Sequence, residues 1–592
     1  MTKSKALTTP DGQIIDILHT GDYTSLKVVL RNNRDITDIN FFDPSISDLH
    51  DPYLMPDMEK AIARIIEAKN KKERVVIFGD YDVDGVSSTA ILVRYLGEIG
   101  IEVSYRLPHR VHDGYGLKNY FFDDLKEKNV KLVITVDCGT RDIEPIRYAK
   151  SLGIDVIVTD HHAVPEMIPE EVIALINPKR KDSKYPFSNL AWAGVAFKLL
   201  HALAIRIIDG DKPQASKISE LESTLTRYID FASLGTVADC MPLIGENRTI
   251  TALGLKQMKN SESSALRKYI ENLDKEPDGD ADIIGFQIGP RINAAGRMDS
   301  PLKALHWLLA TEDRVDDWLL EVENLNTKRQ EEVKRYTEDA LMNVDASLPI
   351  LFYTHESIEH GLIGLVAGRL TEAYGKPSIV LCRQHEPKGD EISKREYEKD
   401  LRDDTWWKWI WSLVASCRSP EWCNLIELLD ACKEYFSRYG WHRQAAGFTI
   451  DISRFEDFKK AIQEKFSEKY DIQNLPRKTL KIECILHPSD LSLQSLSMID
   501  LFRPFGIWNI KPLFLLENLT IQEIRTIWKE NNHLSITFLE VPNIKCLLWN
   551  HAQIFSSALP MKGDILSPII AFERNIWNGK ESLQLIIKNI SV

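Results

Sequence analysis

The stretch Val76-Ile77-Phe78-Gly79-Asp80-Tyr81-Asp82-Val83-Asp84-Gly85 joins an apolar run to three carboxylates at alternate positions and a closing glycine. Such an apolar run is typical of a buried β-strand, which places the carboxylates at the strand end. Three carboxylates this close repel one another unless a positive group lies among them. A divalent metal ion with hard oxygen ligands is the simplest such group. An isolated Asp-x-Asp pair is more often a solvated acidic loop, so the metal prediction depends on the rest of the chain.

Two further apolar runs also end in residues that bind metals. Asp137 follows Leu132–Val136, and Asp160-His161-His162 follows Asp155–Val158 after one threonine. A lone carboxylate after a strand commonly caps a helix, and adjacent histidines are commonly structural, so neither run is decisive alone. The carboxyl ends of parallel strands meet at one edge of a sheet, so the three runs together predict a shared site. Imidazole and carboxylate ligands together suit Mn²⁺ or a similar transition ion better than Ca²⁺.

The order of the predicted elements indicates the fold class. Short apolar runs alternate with amphipathic patterns from residue 74 to about 200, which is typical of an α/β fold with a parallel sheet. Residues 57–70 and 317–342 have apolar residues at helical spacing, and the second segment predicts one long helix. A second α/β region with a polar loop at 383–411 follows, and the short alternating strands of the last stretch suit a small β-barrel. The predicted domains are an irregular N-terminal arm, a parallel-sheet domain, a connecting helix, a second α/β domain and a β-barrel, with the bounds 1–50, 51–310, 311–345, 346–465 and 470–592.

Composition limits the function classes. A chain of 592 residues is too long for one hydrophobic core, and 44% apolar with 27% charged residues is typical of a globular protein. No apolar run reaches membrane-spanning length, and the first residues lack a signal-peptide core, so we expect a cytoplasmic protein without a membrane partner. The eight cysteines are scattered, which favours neither a disulfide framework nor a zinc knuckle. The net charge of −13 only weakly disfavours a polyanionic substrate, because binding depends on local basic surface.

The strand-end motifs resemble those of a known superfamily. Gly79–Gly85, Val136–Gly139, Thr159–His162 and Gly235–Asp239 together resemble the DHH phosphoesterases. Further segments narrow the resemblance to the RecJ family of single-strand-specific 5′→3′ DNA exonucleases: Pro108–Leu117, Gly194–Lys198, Gly289–Arg297, Gly364–Leu370, Ser416–Ser419 and His442–Phe448. The resemblance covers residues 70–592 and implies a DHH domain, a DHHA1 domain and a C-terminal OB-like β-barrel.

The resemblance also implies a two-metal site for Mn²⁺ or Mg²⁺. The implied ligands, with Asp137 as a bridge, are Asp82, Asp84, Asp137, His161 and Asp239. Asp80, Asp160 and His162 are expected to orient ligands or to touch the scissile phosphate. Phe78 stands where some members of the superfamily have a metal-binding histidine, so one ion has fewer protein ligands here.

Single-stranded DNA is the implied substrate, hydrolysed to mononucleotides in repair and recombination. The residues expected to bind its phosphates and nucleotides are Arg110, Tyr115, Arg291, Asn293, Arg297, Arg369, Ser416, Arg418, Ser419 and His442. For each arginine a surface ion pair is the alternative. The OB-like domain is expected to lead the strand through basic and stacking contacts, unless it is a purely structural appendage. The expected protein partners are a single-strand-binding protein and a helicase, and the chain is expected to be a monomer.

Two other functions are compatible with the DHH-type motifs. A phosphodiesterase for short oligonucleotides or cyclic dinucleotides shares the metal site, but such enzymes generally lack a terminal OB-like domain. A catalytically inactive replication scaffold shares the fold, but such proteins lose ligands from the acidic motifs, and all are present here.

Three tryptophans depart from the RecJ pattern. Trp192, Trp441 and Trp508 stand where related sequences usually carry glycine. Some bacteria read the UGA codon as glycine, and a translation that reads UGA as tryptophan gives this pattern. The 29 glycines make up about 5% of the chain, below the usual value of roughly 7%, in agreement with this hypothesis. The hypothesis fails if the three codons are UGG, and the rival explanation is true divergence with a remodelled DNA groove.

Overall fold

The computed structural model describes most of the chain. The described residues are 7–110, 113–209, 215–273, 279–383, 412–441, 443–471, 474–527, 532–551, 554–555, 559–577 and 579–592. His442 and nearly all of the loop predicted at 383–411 lie outside them. The chain divides into two compact units, one of residues 46–241 with 245–475 and the other of the residues up to Ser45 with 242–244 and 476–592.

The described strands form three sheets. In chain order they are β1 (Ile14–His19), β2 (Arg74–Phe78), β3 (Val103–Arg106), β4 (Val130–Val136), β5 (Asp155–Thr159), β6 (Ala174–Ile176), β7 (Leu351–Thr354), β8 (Ser378–Arg383), β9 (Ser412–Arg418), β10 (Phe436–Trp441), β11 (Ala445–Asp451), β12 (Thr479–Leu486), β13 (Phe514–Leu516), β14 (Leu519–Ile527), β15 (His533–Phe538), β16 (Lys545–Leu548), β17 (Ile565–Trp577) and β18 (Lys580–Ser591).

Helices pack against these sheets. In chain order they are α1 (Leu26–Asn33), α2 (Met58–Lys71), α3 (Val83–Glu98), α4 (Asn119–Glu127), α5 (Ile143–Ser151), α6 (Trp192–Asp209), α7 (Ala215–Thr226), α8 (Ile229–Ala238), α9 (Gly245–Gln257), α10 (Ser264–Glu271), α11 (Gly289–Met298), α12 (Pro301–Leu308), α13 (Val315–Asn343), α14 (His360–Tyr374), α15 (Leu425–Asp430), α16 (Phe455–Lys469) and α17 (Leu493–Asp500). None of the described helices combines the length and the apolar character needed to span a bilayer.

The predicted parallel sheet is confirmed. Its order is β3-β2-β4-β5-β6, and all neighbouring strands are parallel. Val75 and Ile77 pack into one hydrophobic cluster and Val76 and Phe78 into another, so β2 is covered on both faces. Coverage of both faces explains why this strand is a continuous apolar run rather than an alternating one.

The long helix and the second α/β region are also confirmed. Helix α13 spans Val315–Asn343, against the predicted 317–342. Its stripe buries Val322, Tyr336 and Ala340, and charged residues occupy most of the rest. The sheet that follows has the order β10-β11-β9-β8-β7, in which only β7 and β8 are parallel.

The prediction that residues 1–50 are irregular is wrong. Strand β1 pairs in parallel with β12, which lies more than 400 residues away along the chain. Helix α1 buries Leu26, Val29 and Leu30 in the cluster that also contains residues of β12. Ser25 caps this helix by accepting a hydrogen bond from the Lys27 amide. Both elements are short, and their stability depends on these distant contacts rather than on local pattern.

The C-terminal strands close on themselves. Pairing runs β17-β14-β15-β16-β18, and β18 pairs again with β17, which is the pairing pattern that a small barrel requires.

In the same unit Trp508 is 65% exposed and has a φ of +64°. This left-handed conformation strains an aromatic residue but costs glycine nothing, so the backbone at position 508 suits the glycine that the resemblance implies.

Candidate metal centre and nucleic-acid interface

The sheet register brings three of the predicted acidic residues to one edge. Phe78 of β2 lies opposite Thr135 of β4, and Thr135 lies opposite Val158 of β5. Asp80, Asp137 and Asp160 each follow these aligned residues by two positions. Parallel pairing in this register therefore delivers three carboxylates to the same end of the sheet, as the sequence predicts.

Asp80, Asp82 and Asp137 form a compact group. One carboxylate oxygen from each lies within 4.8 Å of the others. Both oxygens of Asp137 and one of Asp80 are buried without a hydrogen-bond partner. Burial raises the pKa of Asp137 and of Asp80 well above the usual value, and the nearby Asp82 charge adds to both shifts. Orphaned, mutually repelling oxygens of this kind fit a divalent cation, so the residues present suit the metal that the fold implies.

The chain turns sharply where these carboxylates stand. Asp137 has a φ of +67°, a conformation that aspartate tolerates better than most side chains. Asp82 begins α3, and its carboxylate accepts hydrogen bonds from the amides of Asp84 at 3.0 Å and Gly85 at 3.1 Å. Gly85 lies within α3, and a Cβ there would stand only 2.6 Å from the Asp80 backbone. Close approach, rather than an unusual turn conformation, is therefore what requires glycine at this position.

A second group of candidate ligands surrounds His161. Its Nδ1 donates to the Leu190 carbonyl at 2.5 Å, which leaves Nε2 facing Asp239 at 3.6 Å. Burial lowers the pKa of His161 to about 3, so the imidazole stays neutral, as a metal ligand must. Burial and the Asp82 charge raise the pKa of Asp239 to about 7. A carbonyl that fixes the histidine tautomer is the usual outer partner of a metal-binding imidazole.

Asp84 has a structural role that the sequence did not reveal. Its carboxylate accepts hydrogen bonds from the amides of Trp192 at 2.9 Å and Ala193 at 2.7 Å, at the start of α6. A Cβ on Gly235 would overlap the same carboxylate. Asp84 therefore anchors α6 to α3 and reaches a metal only through its remaining lone pairs.

Asp160 orients its neighbours rather than offering free oxygens. It accepts hydrogen bonds from four backbone or ring groups of Thr140, His161 and His162 and from the Trp192 indole at 2.8 Å. Burial alone would raise the pKa of Asp160, but the hydrogen bonds and charge of His162 hold it below its usual value.

His162 Nδ1 lies 3.0 Å from both Asp160 and the Tyr115 hydroxyl, and that hydroxyl donates to the Asp137 carbonyl at 2.7 Å. His162 therefore presents Nε2 to the site.

Trp192 is built into this site. It is 6% exposed, and its ring lies 3.8 Å from that of His161 at an angle of 31°. Position 192 gives tryptophan a packed and hydrogen-bonded environment, whereas position 508 gives it a strained and exposed one. The structure thus favours true divergence at 192 and glycine at 508, and codon sequencing decides both. The Trp441 side chain lies outside what the structure describes.

Beside the carboxylates lies a cluster of four guanidinium groups, which we call the arginine cluster: Arg110, Arg297, Arg329 and Arg418. Burial, followed by the charges of the other three, lowers the pKa of Arg297 to about 9. Arg110 stacks 3.9 Å over the ring of Tyr81, the residue between Asp80 and Asp82. Within the described part of the chain, no carboxylate forms an ion pair with any of the four. Guanidinium groups that repel one another and have no ion-pair partner are suited to bind an anion.

A cavity of about 510 Å³ extends this cluster, and its lining includes Arg329, Arg369 and Arg418. Arg418 donates to Ser416 Oγ at 3.1 Å. A Cβ on Gly364 would lie 3.0 Å from both side chains, so glycine keeps this wall open. Arg329 was missed by sequence reasoning because it lies on the highly charged α13, where one arginine among many looks like solvated surface.

The other predicted nucleic-acid contacts differ in their environments. Arg291 pairs with Glu323 at 2.6 Å and donates to the Gln287 carbonyl at 2.7 Å. This arginine therefore forms the ion pair that the sequence analysis gave as the alternative to a phosphate contact. Ser419 is buried and donates to the Cys423 carbonyl, so its hydroxyl is already used. Arg369 lines the cavity but also pairs with Glu372 at 3.1 Å. Asn293 has a buried side-chain oxygen without a partner, and His442 lies outside the described residues.

The raised carboxylate pKa values predict how stability depends on pH. Aspartate in the unfolded chain titrates near ~3.9, so a folded pKa of about 7 for Asp239 means that the folded protein keeps a proton that the unfolded chain has lost. Metal-free protein should therefore lose stability as the pH rises from about 4 to about 7. A bound cation favours the charged carboxylates, so the rise in Tm that Mn²⁺ causes should grow over the same range. Thermal unfolding in EDTA and in Mn²⁺ checks this, and a Mn²⁺ effect independent of pH would contradict it.

Comparison with known proteins places these features in a family context. Residues 74–236 match the model of the DHH family N-terminal domain, and residues 482–589 match the RecJ OB domain. The single-stranded-DNA-specific exonuclease RecJ of Bacillus subtilis is 31% identical over 560 residues, which cover 93% of this chain and 65% of that protein. RecJ of Thermus thermophilus is 30% identical over 526 residues, covering 88% of this chain and 69% of that protein.

A solved structure agrees with the fold. The crystal structure of Thermus thermophilus RecJ in complex with Mn²⁺ superposes with a TM-score of 0.77 and 26% identity, covering 95% of this chain and 75% of that chain. The Mg²⁺ complex of the same protein gives a TM-score of 0.72 at 24% identity. These two complexes contain Mn²⁺ and Mg²⁺, the ions that the sequence analysis expects for this chain.

Proposed function

We propose, since this chain belongs to the RecJ family of DHH phosphoesterases, that it is a metal-dependent exonuclease that hydrolyses single-stranded DNA from the 5′ end to mononucleotides. The observation that carries the proposal is that two opposite charge clusters meet at Tyr81. Asp80 and Asp82 flank this residue with the carboxylate group, and Arg110 lies over its ring with the arginine cluster. A phosphodiester that binds a metal on one side and arginines on the other matches this arrangement.

The carboxylates and one histidine are proposed to hold the metal. Asp80, Asp82 and Asp137 form one half of the ligand set, and Asp84, His161 and Asp239 form the other. When bound, Mn²⁺ or Mg²⁺ supplies Lewis acidity that lowers the pKa of an attacking water and stabilises the charge on the leaving oxygen. Asp137, with both oxygens unpartnered, is proposed to lie between the two halves.

The neighbouring residues are proposed to position the scissile phosphate. Asp160 and the Tyr115 hydroxyl both lie at Nδ1 of His162 and together fix its ring, so that Nε2 faces the place proposed for a phosphate oxygen. The arginine cluster grips the phosphates nearer the 5′ end, and Ser416 holds the Arg418 guanidinium. The OB domain is proposed to bind the strand that follows.

Digestion of single strands labelled at the 5′ or the 3′ end tests reaction, polarity and metal together. In Mn²⁺ or Mg²⁺, the 5′ label should appear at once as a mononucleotide, and the 3′ label should pass through a ladder of shortening strands. Release of the 3′ label first would contradict the polarity. Rapid cleavage of dinucleotides with no action on long strands would favour the oligonucleotide phosphodiesterase, which the RecJ OB match disfavours. No hydrolysis of any strand would favour the inactive scaffold, which the orphaned carboxylate oxygens disfavour.

The biological setting is proposed from the same membership. We expect a monomer that acts in the cytoplasm in DNA repair and recombination, together with a single-strand-binding protein and a helicase. Sedimentation of the purified chain tests the first expectation, and co-purification with those two partners tests the last.

Arg329 gives a sharp test of the cavity. Arg329→Met should weaken binding of single-stranded DNA about tenfold in moderate salt and reduce the salt slope by about 0.7, because one phosphate contact is lost. The matched control is Arg335→Met on the same helix, where Arg335 is 60% exposed at its side chain and pairs with Glu332. Equal affinities for the two variants would remove Arg329 from the interface. Fluorescence anisotropy in EDTA measures binding without hydrolysis.

A further inference from the structure

Phe286 is a large apolar side chain held in solvent. It is 77% exposed, while Ile284 and Ile288 on the same short turn are fully buried. The turn Ile284–Ile288 is a π-helix that leads into α11. Single exposed apolar residues are common and need no explanation by themselves. A π-helical turn is uncommon, and such turns occur frequently at functional sites. An exposed phenylalanine on such a turn therefore needs an explanation.

The turn lies beside the metal centre. A Cβ on Gly285 would contact Val237 at 3.9 Å, and a Cβ on Gly289 would contact Ala238 at 3.8 Å. Val237 and Ala238 are the last residues of α8, and the candidate ligand Asp239 follows directly as its C-cap. The turn that carries Phe286 therefore packs against the end of α8 that Asp239 caps, and we call this junction the rim.

Helix α11 connects this rim to the arginine cluster. It begins at Gly289, passes the Tyr81 carbonyl at Gly296 and carries Arg297 near its end. Ten helical residues span about 15 Å, so Phe286 and the arginine cluster mark two ends of one path past the carboxylates. A strand whose phosphates follow this path would bring bases to both ends.

The turn presents Phe286 rigidly. A Cβ on Gly289 would come within 2.8 Å of the Ile284 carbonyl, so the glycine permits the wide π turn to close onto α11. Pro290 follows and restricts the backbone further. A backbone that is already fixed loses little conformational entropy when a ligand binds to the side chain it carries.

The chemistry of this rim fits a base better than a phosphate. The nearest predicted phosphate contact, Arg291, stacks 5.2 Å from the Tyr269 ring and is neutralised by Glu323. An uncharged ring suits the face of a nucleobase, because bases stack on aromatic side chains without sequence preference. We propose that Phe286 is a stacking platform for a base of single-stranded DNA, at the end of the cleft opposite the arginine cluster. The proposal rests on the proposed function.

Strand binding by the full chain in EDTA tests the platform. The probe is single-stranded DNA with 2-aminopurine at successive positions, whose fluorescence falls when the base stacks. Phe286→Ala should weaken binding about tenfold. Phe286→Trp should restore binding, because any aromatic ring at this position can stack on a base. The control Met342→Ala removes a side chain of similar exposure, 78%, from the end of α13 and should bind as the wild type does. Unchanged thermal unfolding of Phe286→Ala shows that any loss is not misfolding.

Strands with one abasic site locate the stacked base. At one abasic position the wild type and Phe286→Ala should bind equally, because the partner of the ring is gone. The proposal is overturned if Phe286→Ala binds every intact strand like the wild type, or if its deficit persists at every abasic position. It is also overturned if the wild type dimerises in sedimentation and Phe286→Ala does not, since the ring then serves a second copy. A wild type that neither binds nor hydrolyses single strands would instead refute the proposed function itself.

Discussion

Asp137→Asn is expected to lower exonuclease activity about a thousandfold and, at the same time, to stabilise the metal-free protein. We expect the loss because Asp137, whose two oxygens are buried without a partner, is proposed to be a metal ligand. Removing a ligand that contributes several kcal/mol of charge stabilisation in the transition state produces a rate loss of about this size. A buried carboxylate whose oxygens accept hydrogen bonds would instead lose stability on this change, because its donors would be left without a partner.

The gain in stability has a separate cause. Burial and the charges of Asp82, Asp80, Asp84 and Asp239 raise the pKa of Asp137, so this carboxylate destabilises the folded state when no cation is bound. Neutralisation should therefore raise the free energy of unfolding in EDTA at pH values where aspartate in the unfolded chain is charged. The Mn²⁺-induced rise in Tm should shrink at the same time.

Three measurements on one variant separate the possibilities. Exonuclease rate, Mn²⁺ binding by titration calorimetry and thermal unfolding in EDTA are measured for Asp137→Asn. The same measurements are made on the control Asp317→Asn, which removes an exposed carboxylate of α13. Wild-type activity in Asp137→Asn would overturn the catalytic assignment. Lost activity together with a large loss of stability in EDTA would show that Asp137 is mainly structural.

Arg418→Met is expected to lower kcat/KM on 5′-phosphorylated single strands about a hundredfold. Hydrogen bonds from a charged donor to a phosphate in a partly buried site contribute about 1.5–3 kcal/mol, which corresponds to a loss of this order. We further propose that Arg418, within the arginine cluster, holds the terminal phosphate, so the effect should be much smaller on strands with a 5′-hydroxyl. Both substrates should be measured at the same ionic strength, since phosphate contacts are sensitive to salt.

Stability again distinguishes a binding arginine from a structural one. Burial and the Arg110 charge lower the pKa of Arg418, so methionine relieves repulsion while it loses the bonds to Ser416 and Cys417. These effects offset each other, and the Tm without DNA should stay within a few degrees of the wild type. Arg383→Met on the neighbouring β8, where the arginine is 56% exposed, is the matched control. A hundredfold loss on both 5′-phosphate and 5′-hydroxyl strands would place Arg418 away from the 5′ end.

Patterns that act over a few residues were readable from the sequence. The apolar runs before Asp80, Asp137 and Asp160 predict strands, and parallel pairing then requires their ends to meet. The stripe of α13 gave its bounds within two residues. The short elements β1 and α1 escaped because neither is long enough to show its period, and β12 stabilises them from the far end of the chain.

Within the site, the sequence predicted which residues carry the chemistry, and the tertiary structure decided which of them lie together and which are already paired. Asp84 turned out to cap a helix that begins 108 residues later, and Arg291 turned out to be neutralised by Glu323. Arg329 joined the cluster although nothing in α13 marks it. Strand ends, metal-binding residue types and helical stripes are properties of neighbours along the chain, so the sequence alone determines them. Partners, burial and the pKa shifts that burial causes are properties of neighbours in space, and only the packed fold brings those together.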